Sequence, residues 1–293
     1  MKTADRARQL PASGIRKFFE LAESRDDVIS LGVGEPDFSA PWAARNAAIG
    51  ALERGRTSYT SNRGMAPLRA AVADHHERYD QRYDPETEVL ITTGASEAVD
   101  LAFRALVDPG DVVALHEPTY ISYAPGVELA GGEPLAVPTD AADDFALTPE
   151  RLEAAGAADA DLLVCCYPNN PTGATMSDDQ LADVAAFCRS NDLRVVADEI
   201  YAALTYERDH ASIATQPGMR ERTVVVNGFS KAYAMTGLRL GYALGPASAV
   251  DAMNRIHQYT MLSAPTTAQH AAVEALRSCE EEVTRMVDEY NRR

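Results

Sequence analysis

Val224-Val225-Val226-Asn227-Gly228-Phe229-Ser230-Lys231 is an apolar run of strand length that ends in small and polar residues. Four other stretches repeat that design. Val89-Leu90-Ile91-Thr92 leads into Thr93-Gly94-Ala95-Ser96-Glu97-Ala98, and Val112-Val113-Ala114-Leu115 into His116-Glu117-Pro118-Thr119-Tyr120. Leu162-Leu163-Val164-Cys165-Cys166 leads into Tyr167-Pro168-Asn169-Asn170-Pro171-Thr172-Gly173, and Arg194-Val195-Val196-Ala197 into Asp198-Glu199-Ile200-Tyr201. Short runs that are apolar on both faces, alternating with helical stretches, predict buried parallel strands joined by helical crossovers. In such α/β sheets ligands sit outside the carboxyl ends of the strands, so the five polar segments define one crevice.

Lys231 stands out within that set. The chain has three lysines, Lys2, Lys17 and Lys231, against 24 arginines. Arginine stays protonated and is a poor nucleophile. A lysine that is desolvated or lies near another cation loses its proton and attacks carbonyl carbon.

Composition sets the outer bounds. The 293 residues can bury a large core. A net charge of −17 opposes binding to nucleic acid or anionic membrane. Few lysines with abundant Asp and Glu fit a high-salt cytoplasm, and equally an acidic protein from GC-rich DNA. Met1 to Glu20 has no apolar leader core and no run approaches a membrane span, which predicts a cytoplasmic protein. Cys165 and Cys166 are adjacent on a predicted strand and face opposite sides of it; Cys188 and Cys279 are isolated, so all four read as buried thiols. No metal motif, Walker A or G-x-G-x-x-G occurs. His75 and His76, on a helical stretch from Ala66 to Tyr79, read as solvated.

Residues 1–38 read as an N-terminal arm with a short helix near Ile15 to Glu23. Residues 39–280 read as one large domain punctuated by Pro85, Pro109-Gly110, Gly131-Gly132 and Pro217-Gly218. Asp140 to Phe145 reads as a solvated acidic loop. Val250 to Met261 and Thr267 to Arg293 read as helices, the second carrying Ala271, Val273, Ala275, Leu276, Val283, Met286 and Val287 broadly on one side.

Taken together in that order, Asn169-Asn170-Pro171-Thr172-Gly173, Asp198-Glu199-Ile200-Tyr201 and Ser230-Lys231-x7-Arg239-Leu240-Gly241 resemble the class I/II aminotransferases, fold-type-I enzymes that use pyridoxal 5′-phosphate. Ser13 to Phe18 and Ile29 to Phe38 look most like the archaeal aspartate and aromatic members. The resemblance implies a three-layer α/β/α large domain around a mainly parallel sheet. It implies transfer of an amino group between an L-amino acid, aspartate or aromatic, and a 2-oxo acid such as 2-oxoglutarate. It also implies a homodimer with a shared site.

Carried onto this chain, the resemblance assigns Lys231 the covalent hold on the cofactor and the proton shuttle. It gives Asp198 the ring nitrogen, and Tyr201 and Asn170 the ring's phenolic oxygen. Tyr120 stacks on the ring. The phosphate falls to the amides of Ala95 and Ser96, which open a helix, together with the Ser230 hydroxyl and the Arg239 guanidinium. Gly34 and Asn170 approach the substrate carboxylate, and Tyr59 reaches the partner's phosphate, although Thr60 and Ser61 depart from the family's neighbouring pattern.

One departure is larger. The family continues into a C-terminal small domain with an arginine that grips the substrate α-carboxylate. Residues 281–293 read as the start of the helix leading there, so the chain reads as truncated. Two alternatives stand beside transamination: another fold-type-I reaction, such as β-elimination from a cysteine conjugate, and a weakly active or regulatory cofactor-binding fragment.

Overall fold

A computed structural model describes residues 1–10 and 34–293. The expected short helix near Ile15 and the Ser13 to Phe18 and Ile29 to Val33 stretches lie outside the described residues. Seven strands form one sheet: β1 Val89–Thr92, β2 Val112–Glu117, β3 Glu133–Pro138, β4 Leu162–Cys166, β5 Arg194–Asp198, β6 Thr223–Gly228 and β7 Gly241–Leu244. Their spatial order is β1-β7-β6-β5-β4-β2-β3. All run the same way except β7, which is antiparallel to both β1 and β6.

Two strands escape the sequence pattern for opposite reasons. β3 is an edge strand with mostly exposed side chains and prolines at Pro134 and Pro138, so it lacks an apolar run. β7, Gly241-Tyr242-Ala243-Leu244, is as short as β1 but opens on glycine and carries alanine, so it presents no run of large aliphatic residues.

The β2 and β4 to β6 strands are apolar on both faces because both faces are covered. Ala114, Leu163, Cys165, Val195, Ala197 and Val225 point into one core, with helices Trp42–Glu53, Ala66–His76, Asp178–Ser190 and Thr266–Ser278. Val113, Leu115, Val164, Cys166, Val196, Val224 and Val226 point into the other, with helices Ala95–Leu106, Tyr123–Ala130 and Ala247–Thr260. The expected three-layer α/β/α arrangement is thus present. Cys165 and Cys166 do face opposite cores, and all four cysteines are buried and unpaired. Among the described residues, no helix is long and apolar enough to cross a membrane.

The structure corrects two readings. The helix expected from Thr267 to Arg293 is two helices, Thr266–Ser278 and Glu280–Arg292, separated at Cys279, whose φ of −112° and ψ of 22° are non-helical. Met286 is buried on the second helix, and Phe38 meets Tyr290 edge-on at 5.3 Å. His76 is not solvated. It is fully buried between Gln81 and Tyr242, and burial lowers its pKa to about 4. A 3.6-residue period gave no warning, because the polar partners that compensate the burial come from a loop and a distant strand.

Gly64 sets the turn that joins the loop before helix Ala66–His76 to β1. It has φ of +95°, and a Cβ there would lie 2.3 Å from Ile91 Cγ1. Gly156 has φ of +79° with nothing within 4 Å of a Cβ. Gly64→Ala should therefore cost about 2–4 kcal/mol, overpacking plus backbone strain, and Gly156→Ala only about 1 kcal/mol. Urea midpoints of the two variants check this; equal losses would show that Ile91 moves aside freely.

Candidate active site

Because six of the seven strands are parallel, the segments following β1, β2, β4, β5 and β6 converge on one edge of the sheet. The antiparallel β7 begins at that same edge, so Arg239, two residues before it, arrives from the opposite chain direction. Gly241 is paired with Gly228 on one side and Thr92 on the other. A Cβ on Gly241 would lie 2.4 Å from Ala95 N, and one on Gly94 would lie 2.7 Å from Arg239 Nη2. Glycine at both positions lets the guanidinium and the start of helix Ala95–Leu106 close on each other.

That helix start has no side-chain cap, and Gly94 at its N-cap has φ of +80°. The first amides of a helix have no intrahelical partner, and its dipole favours an anion there. Ser96 is exposed and Ser230 buried beside the same edge. Arg239 is itself in a left-handed conformation, exposed, with Nη1 donating to Thr236 O at 3.1 Å. Uncapped amides and an exposed guanidinium together suit a phosphate ester.

Asp198 closes β5 and is buried, opposite Cys166 on β4 and Val226 on β6. Burial pushes its carboxyl up to about 6; hydrogen bonds from Tyr123 Oη at 2.7 Å and Ile200 N at 3.2 Å oppose that rise. The Lys231 charge also opposes the rise from a distance, without an ion pair to Asp198 among the described residues. A buried carboxylate that lacks a cation suits a ligand carrying a protonatable ring nitrogen.

Tyr123 is the residue that motif reading missed. It is fully buried at the start of helix Tyr123–Ala130, meets Tyr120 edge-on at 5.5 Å, and donates to a carboxylate 75 positions away. Its only signal in sequence is a second tyrosine three residues after Tyr120.

Lys231 follows β6 and is partly buried. Burial and the Arg239 charge lower its pKa, against the opposing pull of Glu35 and Asp198. Its Nζ donates to Gly34 O and lies 5.8 Å from the centre of the Tyr201 ring. Burial raises the Tyr201 pKa, and a hydrogen bond with the Asn170 side chain opposes the rise. Asn169, beside Asn170, ties two of the loops together: its Nδ2 donates to Pro118 O and to Thr172 Oγ1, each at 2.9 Å. Glu35 accepts from the Thr236 hydroxyl, which brings Gly34 against the Lys231 segment.

The structure thus brings Gly34, Ala95, Tyr120, Asn170, Asp198, Tyr201, Ser230, Lys231 and Arg239 to one edge of the sheet. Tyr59 is apart. It is 79% exposed on a loop fastened to residues 262–269 through Asn62 Nδ2 to Leu262 O at 2.6 Å and Thr266 Oγ1 to Ser58 O at 2.7 Å. Among the described residues there is no cluster that could hold a metal ion.

Known proteins share this sequence pattern and this fold. The family profile described as aminotransferase class I and II matches residues 26–293. A putative aminotransferase of Bacillus subtilis is 48% identical over 99% of this chain and 75% of its own length. A probable N-acetyl-LL-diaminopimelate aminotransferase of the same species is 40% identical over 98% of this chain and 73% of its own. The solved structure of Thermus thermophilus aspartate aminotransferase with maleate superposes with a TM-score of 0.92 at 35% identity, covering all of this chain and 77% of that one. Other relatives are named aspartate or aromatic-amino-acid aminotransferase. With a desolvated lysine, a phosphate-ready helix start and a buried acid on one sheet edge, the chain belongs to the class I and II aminotransferases, pyridoxal-phosphate-dependent enzymes of fold type I.

Proposed function

We propose that this chain transfers the amino group of an L-amino acid, aspartate or an aromatic one, to a 2-oxo acid such as 2-oxoglutarate. The observation that carries the reading is Lys231: one of three lysines, with a lowered pKa, within reach of Tyr201 and facing the arm's Gly34 carbonyl. Pyridoxal phosphate supplies the electron sink that makes the substrate α-proton acidic. Lys231 holds the cofactor covalently, and its freed amine moves the proton to and from the substrate α-carbon. Asp198 keeps the ring nitrogen protonated, with Tyr123 orienting the carboxylate. Tyr201 and Asn170 stabilise the ring's phenolic oxygen, and Tyr120 covers the ring face. Ala95 and Ser96 amides, the Ser230 hydroxyl and Arg239 hold the phosphate, while Gly34 and Asn170 line the side where a substrate carboxylate enters.

A panel of amino donors with 2-oxoglutarate tests the substrate reading; aspartate or an aromatic amino acid should turn over fastest. Borohydride reduction of the protein with pyridoxal phosphate should place the label on Lys231, and Lys231→Arg should keep the charge but abolish the label. A label on Lys2 or Lys17 would overturn the assignment.

Asp198 gives a prediction with a definite sign. Its folded pKa of about 6 lies above the ordinary 3.8. Between those values the folded chain holds the proton and the unfolded chain does not. Stability of the cofactor-free protein therefore falls as pH rises through that window, by about 3 kcal/mol at most. In urea titrations from pH ~4 to ~7, Asp198→Asn should lack this component of the decline. Identical slopes for the two proteins would show that Asp198 ionises freely in the cofactor-free state.

The assembly is read as a homodimer with Tyr59 reaching the partner's phosphate. Trp42, Leu52, Tyr59, Tyr259 and Met261 are all large, apolar and exposed, at 63%, 57%, 79%, 87% and 49%. The loop that carries Tyr59 is tied to the segment after Met261 by the Asn62–Leu262 hydrogen bond, and exposed apolar side chains gathered in one patch mark an interaction surface. Sedimentation should give a dimer, and Tyr259→Glu with Leu52→Glu should dissociate it. A monomeric wild-type chain that binds pyridoxal phosphate at full affinity would refute the shared site.

A further inference from the structure

Behind the cofactor residues lies a second polar group, buried and outside the crevice. Glu199, next to Asp198, is 3% exposed. Its carboxylate accepts from Gln81 Nε2 at 3.0 Å and from the Ser212 hydroxyl, and His210 Nε2 lies 3.2 Å away. Burial pushes its pKa up, but His210, Ser212 and His76 together hold it low. A carboxylate can only accept, so the Gln81 amide must turn its nitrogen toward Glu199 and its oxygen toward His76. His76 Nδ1, 2.7 Å from that oxygen, must then carry the proton. His76 Nε2 is left as an acceptor for Tyr242 Oη at 3.0 Å. Every donor direction in the chain Tyr242→His76→Gln81→Glu199 is thereby fixed by the one charge at its end.

The two ends of this chain matter. Glu199 lies between Asp198 and Tyr201 at the end of β5. Tyr242 follows Gly241 on β7, three residues after Arg239. A buried charge with oriented, satisfied partners has one low-energy arrangement, whereas apolar packing tolerates several.

Resting on the cofactor assignments above, we propose that Glu199 is a positioning residue: its buried carboxylate, through Gln81, His76 and Tyr242, locks the ring-nitrogen end of the site in register with the phosphate end. The ion itself touches neither cofactor nor substrate. It acts by holding the strands β5 and β7 that present Asp198, Tyr201 and Arg239.

The test compares Glu199→Gln, Tyr242→Phe, their double variant and Asp198→Asn, each close to isosteric. Two readouts are taken on each: the dissociation constant for pyridoxal phosphate, and the visible circular dichroism of the bound cofactor, which reports how rigidly the ring is held. Urea midpoints are recorded alongside. Glu199→Gln and Tyr242→Phe should each weaken cofactor binding about three- to tenfold and reduce the dichroic band. The double variant should bind within about twofold of Glu199→Gln alone, because both changes break one chain. Multiplicative losses, or lowered urea midpoints with binding and dichroism unchanged, would overturn the proposal. If Asp198→Asn alters the band while Glu199→Gln does not, the proposal falls and the cofactor assignment stands. If Asp198→Asn leaves both readouts unchanged, the ring contact is wrong and both fall.

Discussion

The close approach of Gly241 to the Gly94–Ala95 turn is the constraint on which the site depends. A single antiparallel strand is inserted between β1 and β6, and it meets the carboxyl edge of its parallel neighbours with its own amino end. That reversal brings Arg239 to the same place as the helix start that follows β1. With any side chain at Gly241, the backbone atoms of Ala95 would be displaced. Cation and amides then could not converge on one anion. The parallel strands make the crevice, and the reversed strand supplies its positive end.

The remaining chemistry follows from unequal burial along that edge. The end that carries Ser96 and Arg239 is open to water. Lys231 is intermediate, with its proton affinity lowered mainly by desolvation. Asp198 is deepest, and burial raises its proton affinity. Water access thus falls from one end of the crevice to the other. The residue types are matched to that gradient: guanidinium where solvent reaches, amine where it partly reaches, carboxyl where it does not.

Much of this was legible in the sequence, for identifiable reasons. Strands buried on both faces announce themselves as apolar runs, so β1, β2, β4, β5 and β6 and the segments following them could be read directly. β3 carries exposed side chains, and β7, with a glycine and an alanine among its four residues, lacks the aliphatic run that marks β1. Motif spacing singled out Lys231, Asp198 and Arg239 because each closes, follows or precedes a strand. Tyr123 and His76 were opaque for another reason. Each is buried only because a partner distant in sequence satisfies it, Asp198 in one case and Tyr242 in the other. The break at Cys279 was hidden because no Gly or Pro marks it, and the weak helix formers Ser278 and Cys279 stand between strong ones.

The buried acid has a consequence for the life of the protein rather than its chemistry. Asp198 sits where burial makes its charge costly, so a ligand that brought a cation to it would stabilise the folded chain. Whatever binds only the folded chain lowers the fraction of time it spends open. In a cell, proteases sample that open fraction. A cofactor that binds only the folded chain therefore bears on how long each chain persists as well as on what it does.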